Sequence, residues 1–128
     1  MSALEPGATV EARFVPERDT ASRYAEASGD LNPIHTDEEF ARSVGLPGCI
    51  LHGLWTMAQI ARVLQEAGGG PGSLEELRLQ FRGMARPGEE IRIAASARSR
   101  EGDRVVVDVT AHQGETVLVR GAEAVLRA

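Results

Sequence analysis

Ala27-Ser-Gly-Asp-Leu-Asn-Pro-Ile-His-Thr-Asp37, followed by Leu51-His52-Gly53 and an apolar run ending at Ala67, decides how this chain is read. Asp30 and His35 place a carboxylate and an imidazole five residues apart, with Asn32 and Pro33 between them. Proline fixes its own φ and steers the residue before it out of the helical region. The stretch is therefore a stiffened loop, not a continuous helix. A rigid loop that holds an acid and a base near one point is what general acid–base chemistry requires. Asn32 either hydrogen-bonds the loop backbone or reaches substrate; its place in a turn favours the first role.

Downstream, Leu54 to Ala67 carries polar residues at Thr56, Gln59, Arg62 and Glu66 in a largely apolar run. That spacing predicts a helix, largely buried, with one narrow polar stripe. The first turn of such a helix leaves N–H groups unpaired at the positive end of its dipole. Gly53 has no side chain to keep a ligand away from its N–H, so that amide is a candidate oxyanion donor. His52 is expected to brace the helix start; a cation there is disfavoured.

Tyr24, the string Ser28-Gly-Asp-Leu-Asn-Pro-Ile-His35, then Asp37, Phe40 and Ala41 resemble the hydratase motif of the MaoC-like family. Leu51-His52-Gly53-Leu54 with Thr56-Met57-Ala58 resembles the start of that family's central helix. The resemblance is sharp from Tyr24 to Leu64 and loose over the remainder. It implies (R)-specific enoyl-CoA hydratase or (3R)-hydroxyacyl-thioester dehydratase activity, with Asp30 and His35 catalytic, Gly53 in the oxyanion hole, and no cofactor or metal. The substrate would be an acyl thioester of coenzyme A or acyl carrier protein. A homodimer, or a heterodimer with a related hot-dog subunit, is the implied assembly. One departure stands out: some (R)-hydratases hold the carboxylate with a central-helix serine, whereas Ala58-Gln59-Ile60-Ala61 carries no hydroxyl. Two alternatives share these residues: an acyl thioesterase on the same fold, or a subunit of a heteromeric dehydratase that needs its partner chain.

The 128 residues suffice for one domain with a modest core, 1–128, and 42% hydrophobic content predicts folding. No apolar run approaches membrane-spanning length, and the first residues do not resemble a signal peptide. The single Cys49 excludes an internal disulfide and fits a reducing cytoplasm. It reads as a small buried hydrophobe. A net charge of −5 argues against nucleic-acid binding, and the three histidines do not form a zinc pattern. All fourteen basic residues are arginine. Those at 78, 82 and 86 are expected to form a solvated face.

Around the loop, Thr9 to Val15 alternates as a half-buried strand. A short helix capped by Asp19 or Thr20 should carry Ala21, Tyr24 and Ala25 inward and stop at Gly29. Thr36-Asp-Glu-Glu39 has capping-box spacing, which predicts a helix from Asp37 to Val44. After Gly68-Gly-Gly-Pro-Gly72 the period changes to two. Four strands follow, around Leu77–Phe81, Ile91–Arg98, Arg104–Thr110 and Thr116–Leu126, expected as an antiparallel meander. The fold class is α+β, an antiparallel sheet wrapped around a long central helix: the hot-dog arrangement.

Overall fold

The computed structural model describes residues 4–127. In chain order the elements are β1 (Thr9–Phe14), α1 (Thr20–Ser28), α2 (Glu38–Ser43), α3 (Gly53–Ala67), β2 (Leu74–Phe81), β3 (Ile91–Glu101), β4 (Arg104–Gln113), β5 (Thr116–Val117) and β6 (Val119–Arg127). One antiparallel sheet packs its apolar face on α3, the hot-dog arrangement. Ile91, Ile93 and Ala95 of β3, Val105 and Val107 of β4, and Ala124 and Leu126 of β6 meet Ile60 and Leu64 of the helix in one buried cluster.

The strand order is β1-β3-β4-β6-β2, with the short β5 beside β4. This corrects the expected meander, which survives only across β3, β4 and β6. β2 pairs with β6 at one edge, and the connection of residues 82–90 carries the chain to β3 near the other edge. Alternation fixes which face of a strand is buried but not which strand lies beside it. The Pro87-Gly88 turn exists, yet it serves this crossing: Gly88 N–H donates to the Pro16 carbonyl (2.8 Å). The fully buried Gln113 clips the same connection. Its Oε1 accepts from Arg86 N–H (2.8 Å), and its Nε2 donates to the Arg86 and Glu89 carbonyls (2.7 and 3.0 Å). The expected last strand is broken at the buried Leu118, whose N–H turns to Ala111 O. A register shift between Arg78 and Gln80 faces Gly121, whose φ of 60° suits a bulge.

Two helix-level expectations also change. The N-cap of α2 is Asp37, not Thr36: the Asp37 side chain accepts from Phe40 N–H at 3.0 Å. A carboxylate at a helix N-terminus gains both that bond and the dipole. The helix closes with Gly45 in the left-handed region and Leu46 N–H on the Ala41 carbonyl. In α3, Thr56 is buried with Ile60, Val63, Leu64 and Ala67, whereas Leu54 and Ala58 are exposed. The sheet covers one side of the helix, so α3 is half-open in the single chain, not largely buried. Among the described residues, no helix is long and apolar enough to cross a membrane.

Candidate active site

α1 ends where Gly29, at φ 81°, donates to the Ala25 carbonyl. The chain then enters a turn tied by its own short side chains. Asp30 N–H donates to Ser28 Oγ (3.1 Å), Asn32 N–H to Asp30 Oδ1 (3.2 Å), and Ile34 N–H to Asn32 Oδ1 (3.2 Å). His35 N–H closes on the Asn32 carbonyl, and the Pro33 carbonyl accepts from Thr36 and Asp37. Five residues are thereby spanned without helix, and both ends of the motif turn toward one point.

At that point Asp30 Oδ2 lies 3.9 Å from His35 Nε2. The imidazole is buried (8% side-chain exposure) while the carboxylate is 55% exposed. His35 Nδ1 lies 2.8 Å from the Ile50 carbonyl, which can only accept. Nδ1 therefore carries a proton, and Nε2 is the ring nitrogen left to bind or release one toward Asp30. Asp30 Oδ1 accepts from Asn32 N–H of its own turn, with no hydroxyl of α3 on it among the described residues. Gln59 does not take that part: its Oε1 accepts from Arg62.

His52 joins the site more closely than its sequence position signals. Its ring stacks on His35, centroids 3.7 Å apart and planes 20° from parallel. Tyr24 lies against the same ring at 4.8 Å. His52 Nε2 donates to the Asp30 main-chain carbonyl at 3.1 Å. Neither this stack nor the Ile50 acceptor has a signature in residue spacing; the turn and α3 bring them together.

Gly53 follows His52 as the first residue of α3 and is exposed. Among the described residues no acceptor takes its N–H. The Phe81 ring lies beside it, 3.4 Å from where a Cβ on Gly53 would be. Asn32 is exposed at the turn, with its side-chain oxygen on the Ile34 N–H. On its other flank, His35 borders a cleft of about 220 Å³ lined also by Arg18, Ser22, Thr36, Glu38 and Cys49. Cys49 is half-buried, not buried as expected; burial and the neighbouring Glu38 push its thiol pKa up, away from the reactive thiolate. Of the arginines expected to form a solvated face, Arg78 pairs with Glu123 (2.9 Å) and Arg86 with Glu89 (2.5 Å). Arg82 has no acidic partner among the described residues.

Asp30, His35 and His52 bring ligand-type atoms within 4.8 Å of one another. A divalent ion must lie in the plane of each imidazole it binds, about 2.1 Å from nitrogen. Stacked, nearly parallel rings cannot both meet that condition at one ion. The cluster fits proton transfer and not metal binding.

The MaoC like domain family matches residues 3–118. The fatty acid synthase beta subunit hexB of Dothistroma septosporum is 34% identical over 98 residues, 75% of this chain and 5% of its own length. The peroxisomal hydratase-dehydrogenase-epimerase of Saccharomyces cerevisiae is 38% identical over 85 residues, 66% of this chain and 9% of that protein. This chain thus spans a small part of these curated relatives. The solved (R)-hydratase from A. caviae involved in PHA biosynthesis superposes with a TM-score of 0.87 at 22% identity, covering 99% of this chain and 98% of that one; at this identity the likeness concerns the fold. Family match and relatives together establish that the chain belongs to the MaoC-like dehydratase domain family.

Proposed function

We propose that the chain acts as one dehydratase domain that interconverts (3R)-3-hydroxyacyl thioesters with trans-2-enoyl thioesters and water. The reading is carried by the facing Asp30 Oδ2 and His35 Nε2, 3.9 Å apart, next to the open first turn of α3. The curated relatives support it: one is named as a hydratase and another as a fatty acid synthase subunit.

In the dehydration direction His35 Nε2 takes the α-proton. The C–H electron pair moves into the thioester, whose oxygen gains charge and is met by Gly53 N–H. That pair then forms the C2–C3 double bond as the hydroxyl leaves with a proton from Asp30, as water. Asp30 ends ionised and His35 protonated, so hydration runs through the same groups in reverse. Each positioned group contributes about 10²–10⁴ in rate. Asn32 holds the turn. The Asp30 carboxylate faces solvent in the single chain, and Leu31 (71%), Leu54 (64%) and Phe81 (49%) are exposed on the residues flanking Asp30 and Gly53. A second hot-dog domain, identical or related, covers this apolar flank and dries the site.

The test is hydration of crotonyl-CoA, followed by loss of the conjugated absorbance, in wild type, Asp30→Asn and His35→Ala. Both variants should fold and lose at least about 10²-fold in kcat. Full activity in either rejects the assignment. Release of free thiol with the enoyl absorbance intact would instead favour thioesterase chemistry.

A further inference from the structure

We infer that His52 is a positioning residue for this reaction: it holds the Asp30 turn and the His35 ring in one geometry, and it does so through both faces of its chemistry. The inference rests on Asp30 and His35 being the reacting pair.

Three observations carry it. First, His52 is only 3% exposed, and its ring is the surface on which His35 lies. Second, Nε2 donates to Asp30 O at 3.1 Å, so one side chain touches the backbone of the acid and the ring of the base. Third, Nδ1 is buried with no hydrogen-bond partner among the described residues. A buried polar atom left unpaired costs stability and calls for a reason. If His52 only packed against its neighbours, a phenyl ring would fill the same space without that cost. The imidazole is explained by its other nitrogen, which must donate to Asp30.

The Asp30 carbonyl is the natural place to hold the turn. The ties described for the turn run between neighbouring residues, within the loop itself. Ile34 and His35 are tied to Ile50 at the far end of the loop. The bond from His52, 22 residues away in sequence, is the long-range tie at the Asp30 end, and it anchors that end to the N-cap of α3. The same anchor sets the acid, the base and the Gly53 amide in one frame. Tyr24 from α1 and Asp30 and His35 from the loop are the titratable groups against His52.

The experiment separates the two contributions of the ring. His52→Gln keeps an N–H donor at the reach of Nε2 and loses the stack. His52→Phe keeps the stack and loses the donor. His52→Asn holds its amide one bond short. Crystal structures report the Asp30–His35 separation, which needs no substrate, and crotonyl-CoA kinetics report kcat and KM separately. A misplacement of about 1 Å costs about 100-fold. The expected result is that H52F opens the separation beyond 3.9 Å and loses at least about tenfold in kcat at little change in KM, with H52Q restoring most of both. If H52F does not fold, H52Q must still exceed H52N in kcat by about tenfold. The inference is overturned if H52F keeps the wild-type separation and kcat, or if H52Q does no better than H52N. A wild type without hydratase activity whose separation still opens in H52F would sink the reaction and support the positioning role.

Discussion

Asn32 offers a test that separates a turn-former from a substrate donor. Its side-chain oxygen accepts from Ile34 N–H at 3.2 Å, and its own N–H, which neither Asn32→Ala nor Asn32→Asp removes, donates to Asp30 Oδ1. Asn32→Ala deletes one of the three side-chain ties within the turn. A single intramolecular hydrogen bond is worth about 1 kcal/mol net, because water competes for the exposed partners. A loss of about 1 kcal/mol in the turn lowers the ratio of formed to unformed turn by about fivefold. kcat should fall by up to that factor while global stability changes little. Asn32→Asp is the decisive partner. Its carboxylate still accepts from Ile34 N–H but cannot donate to a thioester oxygen. Steady-state crotonyl-CoA hydration and hydroxybutyryl-CoA dehydration, with melting curves beside them, give the readout. Asn32→Asp should retain more dehydration activity than Asn32→Ala. The reverse order, with a rise in KM for Asn32→Asp, would refute the turn-forming role and make the Asn32 amide a substrate donor.

Ile60 is fully buried at the middle of the helix–sheet contact. Ile60→Ala should destabilise by about 2–5 kcal/mol, read by chemical denaturation, with kcat unchanged at a temperature where the variant stays folded. Asp108 hydrogen-bonds Arg98 on the outer face of the sheet, and this holds its carboxyl below the usual range. A depressed carboxylate contributes stability above its unfolded pKa and loses it as pH falls through the folded value. The small gap in Tm between wild type and Asp108→Asn should therefore be full at neutral pH and close below about pH 4. Leu54 is 64% exposed on the first turn of α3. Leu54→Glu should leave the melting of the isolated fold nearly intact but shift the mass measured by light scattering to a single chain; an unchanged mass would show that assembly does not use this flank.

The helix α3, the strand faces and the convergence of Asp30 with His35 were legible because each depends on local periodicity or on a stiff five-residue turn. What was not legible depends on distant partners. Alternation in β2 marks Leu77 and Leu79 as the inward side but says nothing of pairing with β6. Thr36 and Asp37 both satisfy a capping pattern, and one residue of register decided for the carboxylate. Thr56 looks like part of a polar stripe, yet it is buried, because a stripe defined by composition ignores where the partner surfaces lie. The His35–His52 stack joins residues from the loop and the helix start. Their pairing follows from the turn angle, which no residue count supplies.

The sheet order has a consequence for biogenesis. β6 is the last of these strands in chain order yet lies between β4 and β2. On the ribosome, a chain that has not emerged past residue 119 has β2 without its partner and the greasy side of α3 only partly covered. Closure of this sheet therefore waits for β6 to slot between its neighbours, and the edges of β4 and β2 stay open to wrong pairing until then.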